Sequence, residues 1–122
     1  MESKYSPEIQ SEINHLLDSI QVYSSYFSIK VEYFIDGFAL FLSEKNLYPR
    51  RIVIFKSYNN DFFSIKSFEV NLRYNQKEEI NELYSISNLD TIDKVMKELK
   101  EIIYGKDIMK YTSDKYFNKD LK

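Results

Sequence analysis

The sequence predicts an α+β fold: an antiparallel sheet of four to five strands flanked by an N-terminal and a C-terminal helix, in the order α-β-β-β-β-(β)-α. Two amphipathic helical patterns bracket the chain, and the stretch between them switches to period-two alternation broken by turn clusters. At 122 residues, with 43% apolar and 30% charged side chains of both signs, the chain is large enough to build a core without disulfides. One domain over 1–122 is the expectation.

The first helix opens at Ser6-Pro7-Glu8, where Ser can cap, Pro suits the first helical position and Glu favours the positive helix end. Ile9, Ile13, Leu16, Leu17 and Ile20 then fall on one stripe about 100° wide, which faces the core. His15, the single imidazole, lies on the polar side.

From Phe27 the residues Phe27, Ile29, Val31, Tyr33 and Ile35 alternate with Ser28, Lys30, Glu32, Phe34 and Asp36, which predicts a half-buried strand. Asp36-Gly37 supplies the positive backbone angles of a tight hairpin turn, and Phe38 to Leu42 returns as a more fully apolar strand. Glu44 to Pro49 reads as a connection, followed by a third strand over Arg51–Lys56. Tyr58-Asn59-Asn60-Asp61 is a turn cluster. In the fourth strand, Phe62 to Tyr74, the apolar phase slips between Ile65 and Phe68, which a bulge near Lys66-Ser67 explains.

Asn75 to Ser87 fits one helical turn through Ile80, Leu83 and Tyr84, and equally a fifth strand through Ile80, Glu82, Tyr84 and Ile86; the strand is preferred. The second helix is capped by Asn88 or Asp90, carries Ile92, Val95, Met96, Leu99, Ile102 and Ile103 inward, and ends before Gly105. Residues 106–122 form either an extra helix or a tail that orders on a partner. With one or both helices on a single face, the other face of the sheet presents Phe34, further aromatics and charges to water, the mark of a partner surface or a homodimer.

Composition excludes several chemistries. Without Cys there is no thiol nucleophile or Cys-based metal site, and two Gly residues leave no Gly-rich phosphate loop. A Ser-His-Asp triad would need His15, and no nucleophile-elbow sequence is present. Glu32, Asp36, Asp61 and Glu69 lie on or near strands, yet no spacing selects a general acid/base pair or a cation site. The reading is therefore non-enzymatic, with no cofactor and no metal. The first residues lack the pattern of a signal peptide and no stretch is long and apolar enough to span a membrane, so a cytoplasmic protein without membrane partners is expected.

Two segments stand out as candidate partner-binding sites. Tyr48, Arg50, Arg51 and Tyr58, with Lys56 and Phe55 between them, interleave cations and aromatics as single-strand nucleic-acid binders do. The net charge of −2 speaks against a general nucleic-acid footprint. Glu78, Glu79 and Glu82, continued by Asp90 and Asp93, form an acidic run without an intervening cation that can steer the chain toward a basic protein surface.

A small non-enzymatic inhibitor of bacterial or phage origin fits these features best: an immunity protein against a toxin, or an anti-defence, anti-CRISPR-type inhibitor of a nuclease. The alternatives are a single-stranded nucleic-acid-binding domain using Tyr48–Tyr58, or a chaperone or subunit of a larger assembly.

Overall fold

A computed structural model describes the backbone of residues 7–45, 50–73 and 76–116, and the side chains of these residues except 71–73, 76–80 and 115–116. Three helices and five strands follow in the order α1 (Pro7–Ile20), a 3-10 turn (Gln21–Tyr23), β1 (Phe27–Tyr33), β2 (Gly37–Glu44), β3 (Arg50–Ser57), β4 (Phe63–Arg73), β5 (Gln76–Leu89), α2 (Ile92–Ile103) and α3 (Lys106–Tyr116). The strands form one antiparallel meander in which each pairs with its sequence neighbour, β1-β2-β3-β4-β5. The α+β expectation is met, the Asn75–Ser87 ambiguity resolves to a strand, and the start of the 106–122 segment is a regular helix. No helix among the described residues is long and apolar enough to cross a membrane.

The core lies between the helices and one face of the sheet. Ile13, Leu16 and Ile20 of α1 and Val95, Leu99 and Ile102 of α2 pack on Phe38, Leu40, Leu42, Ile52, Ile54, Phe63 and Ile65. Each fully buried Leu, Ile or Phe contributes about 2 kcal/mol of transfer free energy. Ile9, Leu17, Ile92, Met96 and Ile103 border the same cluster at half burial, so both helical stripes face the core as their spacing requires. His15 is exposed on the far side of α1.

Four local expectations are corrected. First, the hairpin turns on Ile35-Asp36, because the Phe34 amide donates to the Gly37 carbonyl at 2.7 Å. Ile35, read as an inward strand residue, is fully exposed at the tip. Gly37 has no positive φ; among the described residues only Gly105 (108°) and Asn88 (63°) do. Gly37 is required instead by proximity: a Cβ there would run into the Lys56 carbonyl oxygen and lie 3.0 Å from the Phe55 ring and from the Ser57 Cα.

Second, the irregularity expected at Lys66-Ser67 resides in the partner strand. The β4–β5 register shifts between Phe63 and Ile65, between Ser67 and Phe68, and between Glu69 and Val70, each time with the extra residue on β5. Asn88, in the first of these bulges, takes the left-handed conformation that Asn tolerates. Third, the apolar step from Ile65 to Phe68 is a change of face: Ile65 enters the core, whereas Phe68 joins Ser64 and Lys66 on the opposite side.

Fourth, α2 is capped by Thr91 and not by Asn88 or Asp90. Thr91 has extended backbone angles and its side chain accepts from the Lys94 amide at 3.1 Å. Asp90 instead pairs with Lys94 at 2.8 Å. Gly105, at φ 108°, ends α2 in the conformation that a helix C-terminus favours and leads directly into α3.

Candidate interaction surface

The residue pair Arg50-Arg51 is divided between the two faces of the sheet, because successive strand side chains point in opposite directions. Arg50 goes inward. Its guanidinium donates to Asp107 at 2.8 Å, to the Ile102 and Ile103 carbonyls at 2.7 and 3.2 Å, and to both carboxylate oxygens of Glu44 at 3.1 and 3.3 Å. It is 5% exposed and Asp107 is wholly buried. Burial by itself lowers the Arg50 pKa, but the Glu44 and Asp107 contacts outweigh it and hold the guanidinium above its ordinary value.

This buried cation thus serves the fold. It ties β2, β3, the end of α2 and the start of α3 together, and it adds a donor to two carbonyls at the C-terminal end of α2. As a surface contact for nucleic acid or a partner protein, Arg50 is withdrawn.

Lys56 goes inward as well: it pairs with Glu12 of α1 at 2.6 Å and sits 5.0 Å above the Phe63 ring. Tyr58 lies half-buried against the core, its ring 6.4 Å from that of Phe38. Tyr48 is outside the described residues. The segment read as a stacking strip is therefore split, and Arg51 and Phe55 are what it contributes to the outer face.

That outer face is built in cross-strand rows. One row runs Ser28, Ser43, Arg51, Phe68, Glu82; the next Lys30, Phe41, Val53, Lys66, Ser85; the third Glu32, Ala39, Phe55, Ser64. Phe41, Val53, Phe55 and Phe68 form its apolar centre. Together with Phe34 and Asp36 at the hairpin end they line a hollow of about 530 Å³, and a second hollow of about 270 Å³ adjoins it across Phe41 toward Ser28 and Lys30.

All three helices pack on the opposite side, so none of them covers this centre. Its four large apolar residues are consequently half-exposed and Phe34 is 41% exposed. The rim carries Lys30, Arg51 and Lys66 against Glu32, Asp36 and Glu82, with Lys30–Glu32 and Lys66–Glu82 pairs each at 3.4 Å. Such surface pairs are worth well under 1 kcal/mol.

The acidic run lies along β5 and into the start of α2. Glu82 is matched by Lys66, and Glu78 and Glu79 stand opposite Asn71 and Val70 in the β4–β5 ladder, their side chains outside the described set. Glu69 accepts from Asn81 at 2.9 Å, and Asp61 lies exposed in the β3–β4 turn. No group of three or more His, Asp or Glu residues able to hold a metal occurs among the described residues.

A further concavity, of about 660 Å³, lies between α2, α3 and β5, lined by Tyr84, Lys100, Glu101, Tyr104, Lys106 and Met109. Tyr84 and Lys106 are engaged with each other and with Glu98. Tyr84 donates to Glu98 at 3.0 Å, and Lys106 pairs with Glu98 at 2.6 Å while lying 5.5 Å from the Tyr84 ring. The Glu98 hydrogen bond drives the Lys106 pKa upward, and desolvation, helped by Glu98, raises that of Tyr84. The arrangement fastens α3 to the sheet.

Comparison of the chain with family models, with curated proteins and with solved structures finds no match. Phe55 belongs to the Tyr48–Tyr58 segment, whereas Phe41, Val53 and Phe68 carry no motif. Their signal is that Phe38–Leu42 and Ile52–Phe55 are apolar in both phases of the alternation, which a strand with one wet face does not need.

Proposed function

We propose that the chain is a non-enzymatic binding protein that uses the outer face of its sheet to occupy and block another protein, in the manner of a bacterial or phage inhibitor. An immunity protein against a toxin, or an anti-defence, anti-CRISPR-type inhibitor of a nuclease, works through one complementary surface, and this face is the surface available. The carrying observation is the uncovered Phe41–Val53–Phe55–Phe68 centre within a rim of three cations and three anions. Apolar centre and mixed polar rim is the anatomy of a protein–protein contact.

The same face offers aromatic rings beside Arg51, the ingredients of a stacking platform for single-stranded nucleic acid. Its balanced rim speaks for protein. Phosphate tracking needs a net excess of cations, and here two of the three cations stand beside carboxylates.

The test compares the tagged wild-type protein with a Phe41→Ser/Phe55→Ser variant, checked for folding by circular dichroism, in recovery of partners from native lysate with and without nuclease. The expected result is a stoichiometric protein that survives nuclease and is lost with the variant. Recovery unchanged in the variant refutes the assignment of the face. Partners that vanish with nuclease, or with Arg51→Ala in rising salt, transfer the reading to nucleic acid.

A further inference from the structure

The two edges of the sheet differ in a way that points to a use for one of them. An exposed edge strand offers a row of unsatisfied peptide groups to any other strand, and natural sheets blunt it with bulges, proline or a covering element. The β5 edge is blunted: three bulges interrupt its ladder and α3 packs beside it. The β1 edge has no such device among the described residues. Phe27 to Tyr33 pair with β2 in unbroken register over seven residues that include neither Pro nor Gly.

Hydrogen-bond parity states which peptide groups of β1 face outward. The Phe34 amide donates to Gly37 and the Tyr26 carbonyl accepts from Lys45, so the even-numbered residues bond toward β2. Phe27, Ile29 and Val31 therefore turn their N–H and C=O groups away from the sheet. Ile29 and Val31 are also only half-buried, although they are on the core side. Apolar side chains gather at both ends of this edge, with Val22 and Tyr26 at 68% and 64% exposure and Ile35 wholly exposed.

The strand is complementary to itself in one register. In an antiparallel pair of two β1 strands centred on Val31, Val31 faces Val31 of the second copy in a hydrogen-bonded position. Ile29 then faces Tyr33, and Lys30 faces Glu32, twice over by symmetry. The Lys30–Glu32 contacts fall at non-hydrogen-bonded positions, where side chains approach most closely. Centring on Lys30 or on Glu32 sets like charges directly opposite. Centring on Ile29 matches Lys30 only with Ser28.

We propose that β1 is a homodimerisation edge, joining two copies of this chain about Val31 into a continuous ten-stranded sheet with Lys30 of each copy against Glu32 of the other. The two helical layers then lie on one side and the two outer faces on the other, which doubles the surface described above. The pairing rests on the edge alone and stands or falls independently of what the outer face binds.

Sedimentation equilibrium over roughly 1 µM to 1 mM tests it. The wild-type mass should rise from 14.7 kDa toward twice that value. Lys30→Glu, at an exposed position, and Glu32→Lys, at a half-buried one, should each raise the dissociation constant about tenfold or more by opposing like charges. An equimolar mixture of the two variants restores both contacts and should dimerise as the wild type does, as should the double swap in one chain. Val31→Pro should leave the β1–β2 ladder intact, since that amide points outward, and abolish the dimer. A wild-type protein that stays monomeric throughout, a dimer indifferent to Val31→Pro, or charge variants not rescued by mixing would each overturn the proposal.

Discussion

Replacing Arg50 by Met tests whether the buried cation belongs to the fold. The substitution removes a guanidinium that is 5% exposed and strands the wholly buried Asp107 and the largely buried Glu44, whose side chain is 12% exposed. It also leaves the Ile102 and Ile103 carbonyls at the end of α2 without this donor. Breaking one side of a buried charged network destabilises by about 3–5 kcal/mol. Unfolding entropy near 2 cal/mol/K per residue gives roughly 250 cal/mol/K for this chain, so each kcal/mol lowers Tm by about 4 °C and the expected loss is about 12–20 °C. Arg50→Lys should lose much of the same, because an ammonium cannot reach two carbonyls and two carboxylates with one planar fork.

The decisive measurement is a double-mutant cycle by thermal and urea unfolding. Arg50→Met with Asp107→Leu removes both charges, and should be less destabilised than the sum of the single variants by more than about 1 kcal/mol. A single-variant loss below about 1 kcal/mol, or strictly additive effects, would refute the structural role and return Arg50 to the surface.

Further consequences are local. Gly37→Ala drives a methyl group into the backbone oxygen of Lys56, which has no rotamer by which to retreat, and should cost about 2 kcal/mol by thermal unfolding; Gly105→Ala meets open space but is opposed by the φ of 108° and should cost about 1–2 kcal/mol through the backbone alone. Thr91→Ala removes the α2 cap and should cost about 1 kcal/mol, which Thr91→Asn should largely avoid. The buried Ser67 hydroxyl has no hydrogen-bond partner among the described residues, so Ser67→Ala should be neutral or stabilising by about 1 kcal/mol in urea denaturation. The raised pKa values of Lys106, Tyr84 and Tyr23 share a sign. The unfolded chain releases those protons first, so their contribution is complete below about pH 10 and is lost as pH rises through the folded values; Tm should fall on the alkaline side, and less steeply in Lys106→Met/Glu98→Gln.

Periodicity alone carried the architecture. Ile13, Leu16 and Ile20, and Val95, Leu99 and Ile102, are separated by three and four residues and all are fully buried. Less was legible where two physical signals compete at one residue. Asp36-Gly37 has the dipeptide of a tight turn, but the hydrogen bonds set the turn one residue earlier and a carbonyl across the sheet requires the glycine. Asn88 and Asp90 are both good caps by type, yet Asn88 is held in a bulge and Asp90 bonds outward, which leaves the position to Thr91. These choices depend on tertiary contacts that no local window contains.

The candidate site shows the same limit from the other side. Tyr48, Arg50, Arg51, Lys56 and Tyr58 are neighbours along the chain, but strand residues an odd number apart point to opposite faces. Applied to β3, that rule sends Arg50, Ile52, Ile54 and Lys56 to the helices and leaves Arg51, Val53 and Phe55 on the far side. An arginine in phase with two core isoleucines must find carboxylates or carbonyls inside, and Glu44, Asp107 and the end of α2 provide them. An alternate phase that is itself apolar has no helix to meet among the described elements. The proposed function rests on that excess apolar surface, while Arg50 and Lys56 of the charged segment hold the scaffold beneath it.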